Sequence, residues 1–297
     1  MNINNWKASI INSVEKKSLP VLSYPGGQLT KASVYELVTD ASKQAAAMKA
    51  VADRCDSYAA LTLMDLSVEA QAFGSDIVFS DNEIPTVTGS IINGREDIEK
   101  ITVPVIGTGR TGVYIQAVRE AKALITDRPV FAGIIGPFSL AGRLMGVTEA
   151  MMFCYDDPEA MKLLLEKCID FITAYADALK KAGADGVIMA EPLTGMLSPD
   201  LAEEFSVPFV GRFVKNMQTD EFGVIYHNCG NNVALMTHMI ASCGAIGYHF
   251  GNAVKLCELF GDMPSNALVM GNIDPAAVFR NGTPEIMRSE VRSIYSE

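Results

Sequence analysis

From Arg128 onward the chain repeats one unit: a short apolar run, a turn holding glycine, proline or a polar side chain, then a stretch with helical spacing. Apolar strands are expected at 129–135, 186–190, 222–227, 245–250 and 267–271. Helical patterns at 139–145, 158–182, 199–218, 233–243, 253–260 and 284–295 separate and follow them. Strands joined through helices pair in parallel, because a parallel crossover needs the length a helix supplies. Two earlier runs extend the series. Leu19-Pro20-Val21-Leu22-Ser23-Tyr24 follows an amphipathic opening helix over 6–17 and ends in Pro25-Gly26-Gly27, expected to be a flexible or ligand-approaching loop. Tyr58-Ala59-Ala60-Leu61-Thr62-Leu63-Met64 is apolar almost throughout, as a strand covered on both faces would be.

Seven parallel strands leave two long edges, and closing the sheet into a barrel hides edges. The expected fold is α/β, a TIM (β/α)8-type barrel lacking the C-terminal eighth strand. The alternative is an open doubly wound sheet, but no Gly-x-Gly-x-x-Gly turn follows the first strand. Residues 1–297 read as a single barrel domain. Alternating stretches on either side of Asp81-Asn82-Glu83 read as a hairpin insertion at about 75–93. An incompletely closed barrel exposes strand edges, which predicts self-association as a homodimer, or poor solubility.

Chemistry in such barrels sits on the loops at the carboxyl ends of the strands. Those ends read Ser23-Tyr24-Pro25-Gly26, Met64-Asp65-Leu66-Ser67, Gly136-Pro137-Phe138-Ser139, Ala190-Glu191-Pro192, His227-Asn228-Cys229-Gly230-Asn231, His249-Phe250-Gly251-Asn252 and Gly271-Asn272-Ile273-Asp274. Nearly every one carries a polar or ionisable group beside glycine or proline. His227 and Cys229, two residues apart at a strand end, can aim an imidazole nitrogen and a thiolate at one point, the pairing zinc prefers. The same pair also describes a packed core cysteine beside an ordinary loop histidine. Glu191 directly follows an apolar strand, where a carboxylate costs free energy unless paired or bound, and this favours a catalytic or binding role. Asp65 and Asp274 each suit a helix cap as well as a pocket group, and His249 reads as a hydrogen-bonded histidine sharing the proposed face. Cys243 would complete a His-x-Cys-x13-Cys pattern, but the end of the helix after the fifth strand belongs to the opposite face of a barrel.

Composition removes other classes. A formal net charge of −11 with no segregated basic cluster argues against a nucleic-acid partner. No stretch approaches 18 consecutive apolar residues, which argues against a membrane span. The start Met-Asn-Ile-Asn-Asn-Trp-Lys lacks the basic cluster and apolar run of a signal peptide, so a cytoplasmic location and free thiols are expected for the six cysteines.

Four motifs in order resemble one family: Ser67-Val68-Glu69-Ala70-Gln71-Ala72-Phe73-Gly74, the run from Ile135-Gly136-Pro137-Phe138-Ser139 to Gly146, His227-Asn228-Cys229-Gly230-Asn231, and Gly271-Asn272-Ile273-Asp274-Pro275 with Gly282-Thr283-Pro284-Glu285. They resemble the uroporphyrinogen decarboxylase superfamily, and within it the corrinoid-dependent methyltransferases of the methylcobamide:coenzyme M type. The resemblance implies zinc bound through His227, Cys229 and a later cysteine that would fall beyond Glu297. It further implies a methyl-corrinoid as co-substrate on a partner corrinoid protein, and a small thiol acceptor. Glu191 and Asp65 would then be the polar catalytic-pocket groups, and Tyr155, Asn231 and Asn272 would face the cofactor. The decarboxylase branch of the family holds porphyrinogen carboxylates with arginines after the first strand, and Tyr24-Pro25-Gly26-Gly27-Gln28 contains none. Two alternatives to the methyltransferase therefore stand: a uroporphyrinogen decarboxylase-like enzyme with unusual anchors, and a non-catalytic corrinoid- or tetrapyrrole-binding barrel.

Overall fold

The computed structural model describes residues 1–21 and 23–296. Its strands are β1 (Ala60–Leu61), β2 (Asp76–Val78), β3 (Thr86–Thr88), β4 (Val130–Ile135), β5 (Gly186–Ala190), β6 (Gly223–Asn228), β7 (Gly247–Phe250) and β8 (Leu268–Met270). Six of them form one sheet in the order β1-β4-β5-β6-β7-β8 with every pairing parallel, while β2 and β3 make a separate antiparallel hairpin. Helices intervene, the longest being Pro158–Lys181 between β4 and β5. It is capped by Asp157, carries Pro158 in its first turn and buries one full side.

The sheet curls. Leu61, Phe131, Ile188, Ile225 and Leu268, drawn from five different strands, share one buried cluster with Ile3, Trp6 and Ile10 of the opening helix Ile3–Ile11. Strands about 4.8 Å apart could not all reach one helix from a flat sheet. The opening helix is thus the floor of the barrel: Trp6 packs on Phe131 with ring centroids 5.4 Å apart and donates its indole N–H to the Tyr58 carbonyl at 3.0 Å. The strands' other faces, with Ala132, Ile134, Val187, Met189, Val224, Tyr226, Tyr248 and Phe250, pack against the surrounding helices.

Three expectations need correction. Leu22 of the expected first strand lies outside the described residues, and the described part forms no ladder: a single parallel bridge, Ser18 to Ser57, precedes it, and the Ser23 hydroxyl is bonded to the Leu61 carbonyl. Pro20 has no N–H to contribute to a ladder there. The second strand is ladder-paired only over β1, after which side chains replace its backbone: Gly133 N–H donates to Thr62 Oγ1 at 2.8 Å and Ile135 N–H to Glu69 Oε1 at 3.0 Å. Gly26 and Gly27 are not a ligand loop either. They begin the helix Gly26–Thr30, and a Cβ on Gly26 would lie 2.5 Å from the Ala47 carbonyl oxygen, so glycine here serves close packing on the helix Ala41–Arg54.

After β8 come a turn of π-helix, Pro275–Arg280, and the helix Pro284–Ser296, with no further strand among the described residues. The hydroxyl of Tyr295 reaches the Lys16 carbonyl at 3.0 Å, tying the last helix to the segment behind the floor helix. No helix among the described residues is long and apolar enough to cross a membrane.

Candidate metal centre at the barrel mouth

Parallel register decides what meets at the mouth. His227 of β6 pairs with Ala190 of β5 on one side and with His249 of β7 on the other, and His249 pairs with Met270 of β8. His227 stands two residues beyond Ile225, and Ile225 belongs to the lumen cluster. The period-two alternation of a strand therefore turns His227, and its register partner His249, towards the lumen. The two rings lie with centroids 4.7 Å apart and tilted by 46°, and Nδ1 of one faces Nδ1 of the other at 2.6 Å. Burial lowers both imidazoles, His227 to about 4 and His249 to about 3, with the neighbouring His227 adding to the second shift. Near neutral pH both are uncharged, the form in which imidazole binds a metal.

Cys229 follows two residues after His227 on an exposed turn, with burial of its thiol still raising its pKa. Asn228, fully buried between the two, shapes that turn. Its Nδ2 donates to the Glu191 carbonyl at 2.8 Å and the Tyr226 hydroxyl at 3.1 Å, and its Oδ1 accepts from Gly230 N–H at 2.9 Å. Glycines let the neighbouring loops close in: a Cβ on Gly195 would sit 2.5 Å from Asn228 Oδ1, and one on Gly251 would sit 2.8 Å from both Cα and Cβ of Cys229. Among the described residues no three His, Cys, Asp or Glu side chains are gathered closely enough to hold an ion. The donors at the mouth are two converged imidazoles with a thiol close by in sequence. Cys243, at the end of the helix Thr237–Ala241, is buried beside Tyr248 in the helix-facing core.

Both carboxylates expected to act in the pocket are hydrogen-bonded within the fold. Glu191 is wholly buried, and its Oε1 accepts from the Ser139 N–H and hydroxyl, both at 2.7 Å, while Oε2 accepts from Phe138 N–H at 3.2 Å. It thereby caps the helix Pro137–Met145, whose N-terminal N–H groups have no partner of their own. Burial outweighs these donors and raises its pKa to about 7. Asp65 accepts from Arg110 Nη1, from Tyr114 at 2.9 Å, and from Ser67 N–H at 3.0 Å and its hydroxyl at 2.6 Å; Asp65 and Arg110 are both buried. Tyr155 is 71% exposed on the helix Val147–Asp156, and Asn231 is exposed. Asn272 points its amide at the Gly251 and Val254 carbonyls, joining the end of β8 to the loop after β7. Sequence patterns did not single out Asn228, Arg110 or the pairing of His249 with His227. The one signal for Asn228 and His249 was the recurrence of polar residues and glycine at successive strand ends, and Arg110, just before the helix Thr111–Leu124, lies at none of them.

The sequence model of the uroporphyrinogen decarboxylase (URO-D) family matches residues 22–297. This chain belongs to that family. Members similar to it include the methylcobamide:CoM methyltransferase MtbA of Methanosarcina acetivorans, 30% identical over 226 residues that cover 74% of this chain and 66% of the relative. A uroporphyrinogen decarboxylase of Vesicomyosocius okutanii is 28% identical over 254 residues, 82% of this chain and 71% of the relative. The chain therefore spans about two thirds of the length of the first and somewhat more of the second. A solved methyltransferase from Methanosarcina mazei superposes with a TM-score of 0.88 at 21% identity, covering 99% of this chain and 89% of that one, which establishes the shared barrel fold.

Proposed function

We propose that this chain is a zinc-dependent methyltransferase that moves a methyl group between a methyl-corrinoid, carried by a partner corrinoid protein, and a small thiol. The observation that carries the reading is the lumen-facing imidazole of His227, held at the mouth with Cys229 two residues on, in a chain whose relatives include a methylcobamide:CoM methyltransferase. The donors fit zinc in their chemistry: neutral imidazole nitrogen and thiol sulfur are the ligands a borderline-soft ion takes. Zinc bound there would lower the pKa of a substrate thiol enough to make it a thiolate near neutral pH.

The reaction would then be displacement of the methyl carbon from the corrinoid substrate by the thiolate sulfur. The carbon–cobalt electron pair would stay on cobalt, which would go from cobalt(III) to cobalt(I), and the thiol proton would go to solvent. The chain's own residues supply position and dryness. His227 and Cys229 fix where sulfur sits, Asn228 holds the turn between them, and the apolar lumen beneath, floored by Trp6 with Met64 and Met270 packed against it, excludes water. Glu191 in this reading holds the first turn of the helix Pro137–Met145 at the mouth through both of its oxygens.

The geometry offers less to a porphyrinogen. Arg110 is bound to Asp65, and the stretch after the first strand has no arginine to hold carboxylates. Zinc content of the wild type and of Cys229→Ala, together with single-turnover conversion of methylcob(III)alamin by small thiols followed by absorbance, tests the proposal. Equal metal content in the two proteins, or decarboxylation of a porphyrinogen with no methyl transfer, overturns it.

A further inference from the structure

We infer that His249 is a positioning residue that fixes the tautomer of His227, so that His227 presents Nε2, and not Nδ1, to the metal. The inference rests on His227 being a zinc ligand, as proposed above, and on the geometry of the pair. Adjacent parallel strands set His227 and His249 in register, and their Nδ1 atoms lie 2.6 Å apart. Two nitrogens this close share one hydrogen: one donates Nδ1–H and the other accepts. The Nδ1 of His227 is therefore occupied, and its remaining donor to a metal is Nε2. A neutral imidazole with an unprotonated Nε2 carries its hydrogen on Nδ1. That hydrogen has an acceptor 2.6 Å away in Nδ1 of His249, which then is the Nε2–H tautomer.

The alternative, in which both Nδ1 atoms bind one zinc ion, does not match the spacing. Two nitrogens each about 2.0–2.1 Å from a tetrahedral ion lie roughly 3.3 Å from one another, so the pair would have to open before an ion entered between them. As an orienting partner His249 needs no movement. It fills the place in which a metal-bound histidine elsewhere finds a carboxylate or a backbone carbonyl.

The chain has only three histidines, His227, His238 and His249, so nitrogen-15 resonances of the imidazoles can be assigned from single variants. In the full chain without metal, His227 is expected as the Nδ1–H tautomer and His249 as the Nε2–H tautomer. With zinc added, the Nε2 resonance of His227 should shift while both nitrogens of His249 keep positions characteristic of an uncoordinated ring. His249→Ala should weaken zinc binding about 10–100-fold, the cost of losing a partner behind a ligand. His249→Gln, which keeps an acceptor oxygen, should recover part of that loss, and the cobalt(II)-substituted forms should show the same number of nitrogen and sulfur ligands in all three proteins. A metal-shifted His249 nitrogen, a His227 that carries its hydrogen on Nε2 in the metal-free chain, or one ligand fewer in His249→Ala overturns the inference while leaving the zinc reading intact. A wild type that takes up no zinc defeats the zinc reading, and the metal-free tautomers still decide whether the pair is ordered as stated.

Discussion

Replacing Glu191 by glutamine isolates the cost of burying a carboxylate under the barrel mouth. Glutamine keeps the shape and one acceptor oxygen but turns an amide towards Phe138 N–H, a loss of about 1 kcal/mol that does not depend on pH. The pH-dependent part comes from burial, which raises Glu191 from its ordinary 4.5 to about 7. Between those values the folded protein keeps a proton that the unfolded chain has released, so wild-type stability falls as pH rises, by about 1.4 kcal/mol per pH unit. The sum is about 3 kcal/mol by pH 7. The uncharged amide of Glu191→Gln carries no such penalty. The variant should therefore be about 1 kcal/mol less stable than wild type at pH 4.5 and about 2 kcal/mol more stable above pH 7. The assay is urea unfolding followed by circular dichroism at a series of pH values, compared as a difference between the two proteins. Glu69, also raised to about 7 by burial, is present in both and cancels. So do His227 and His249, whose depressed values work in the opposite direction over part of the same range. A stability difference that stays constant from pH 4.5 to 8 would refute the reasoning, and would mean that the Ser139 and Phe138 donors and the helix terminus fully compensate the buried charge.

Three further substitutions test separate parts of the structure. Asp65→Asn leaves the buried Arg110 without its counter-charge and should cost about 3–5 kcal/mol in urea unfolding while leaving zinc content unchanged; lost activity with intact stability would instead make Asp65 a pocket residue. Trp6→Ala empties the floor of the barrel and should cost about 3–5 kcal/mol, read by far-ultraviolet circular dichroism because Trp6 is the chain's only tryptophan. Gly251→Ala drives a Cβ into Cys229 and should destabilise by about 1–3 kcal/mol and weaken zinc binding. Gly261→Ala, where a Cβ meets nothing within 4 Å, should lie within about 0.5 kcal/mol of wild type.

The alternation of apolar runs with helical spacing determined the parallel sheet, since a polar–apolar period is a local property of the chain and helical crossovers admit one pairing sense. It also placed His227 and Cys229 at a strand's carboxyl end, because strand ends are marked by glycine and polar residues in the sequence itself. Where the backbone ladder stops was not legible. Pro20 weakens the first strand, and Thr62 and Glu69 stand in for the second strand's backbone along β4, a substitution that depends on residues far apart in sequence. The buried carboxylates could not be assigned from sequence either. Glu191 after an apolar strand signals a costly charge, but only the tertiary structure brings the first turn of the helix Pro137–Met145 to it as a hydrogen-bond partner. The same holds for His249. The chain separates it from His227 by 22 positions, and it is the register of β7 on β6 that sets the two rings nitrogen to nitrogen, because side-chain direction is local while the choice of neighbour belongs to the fold.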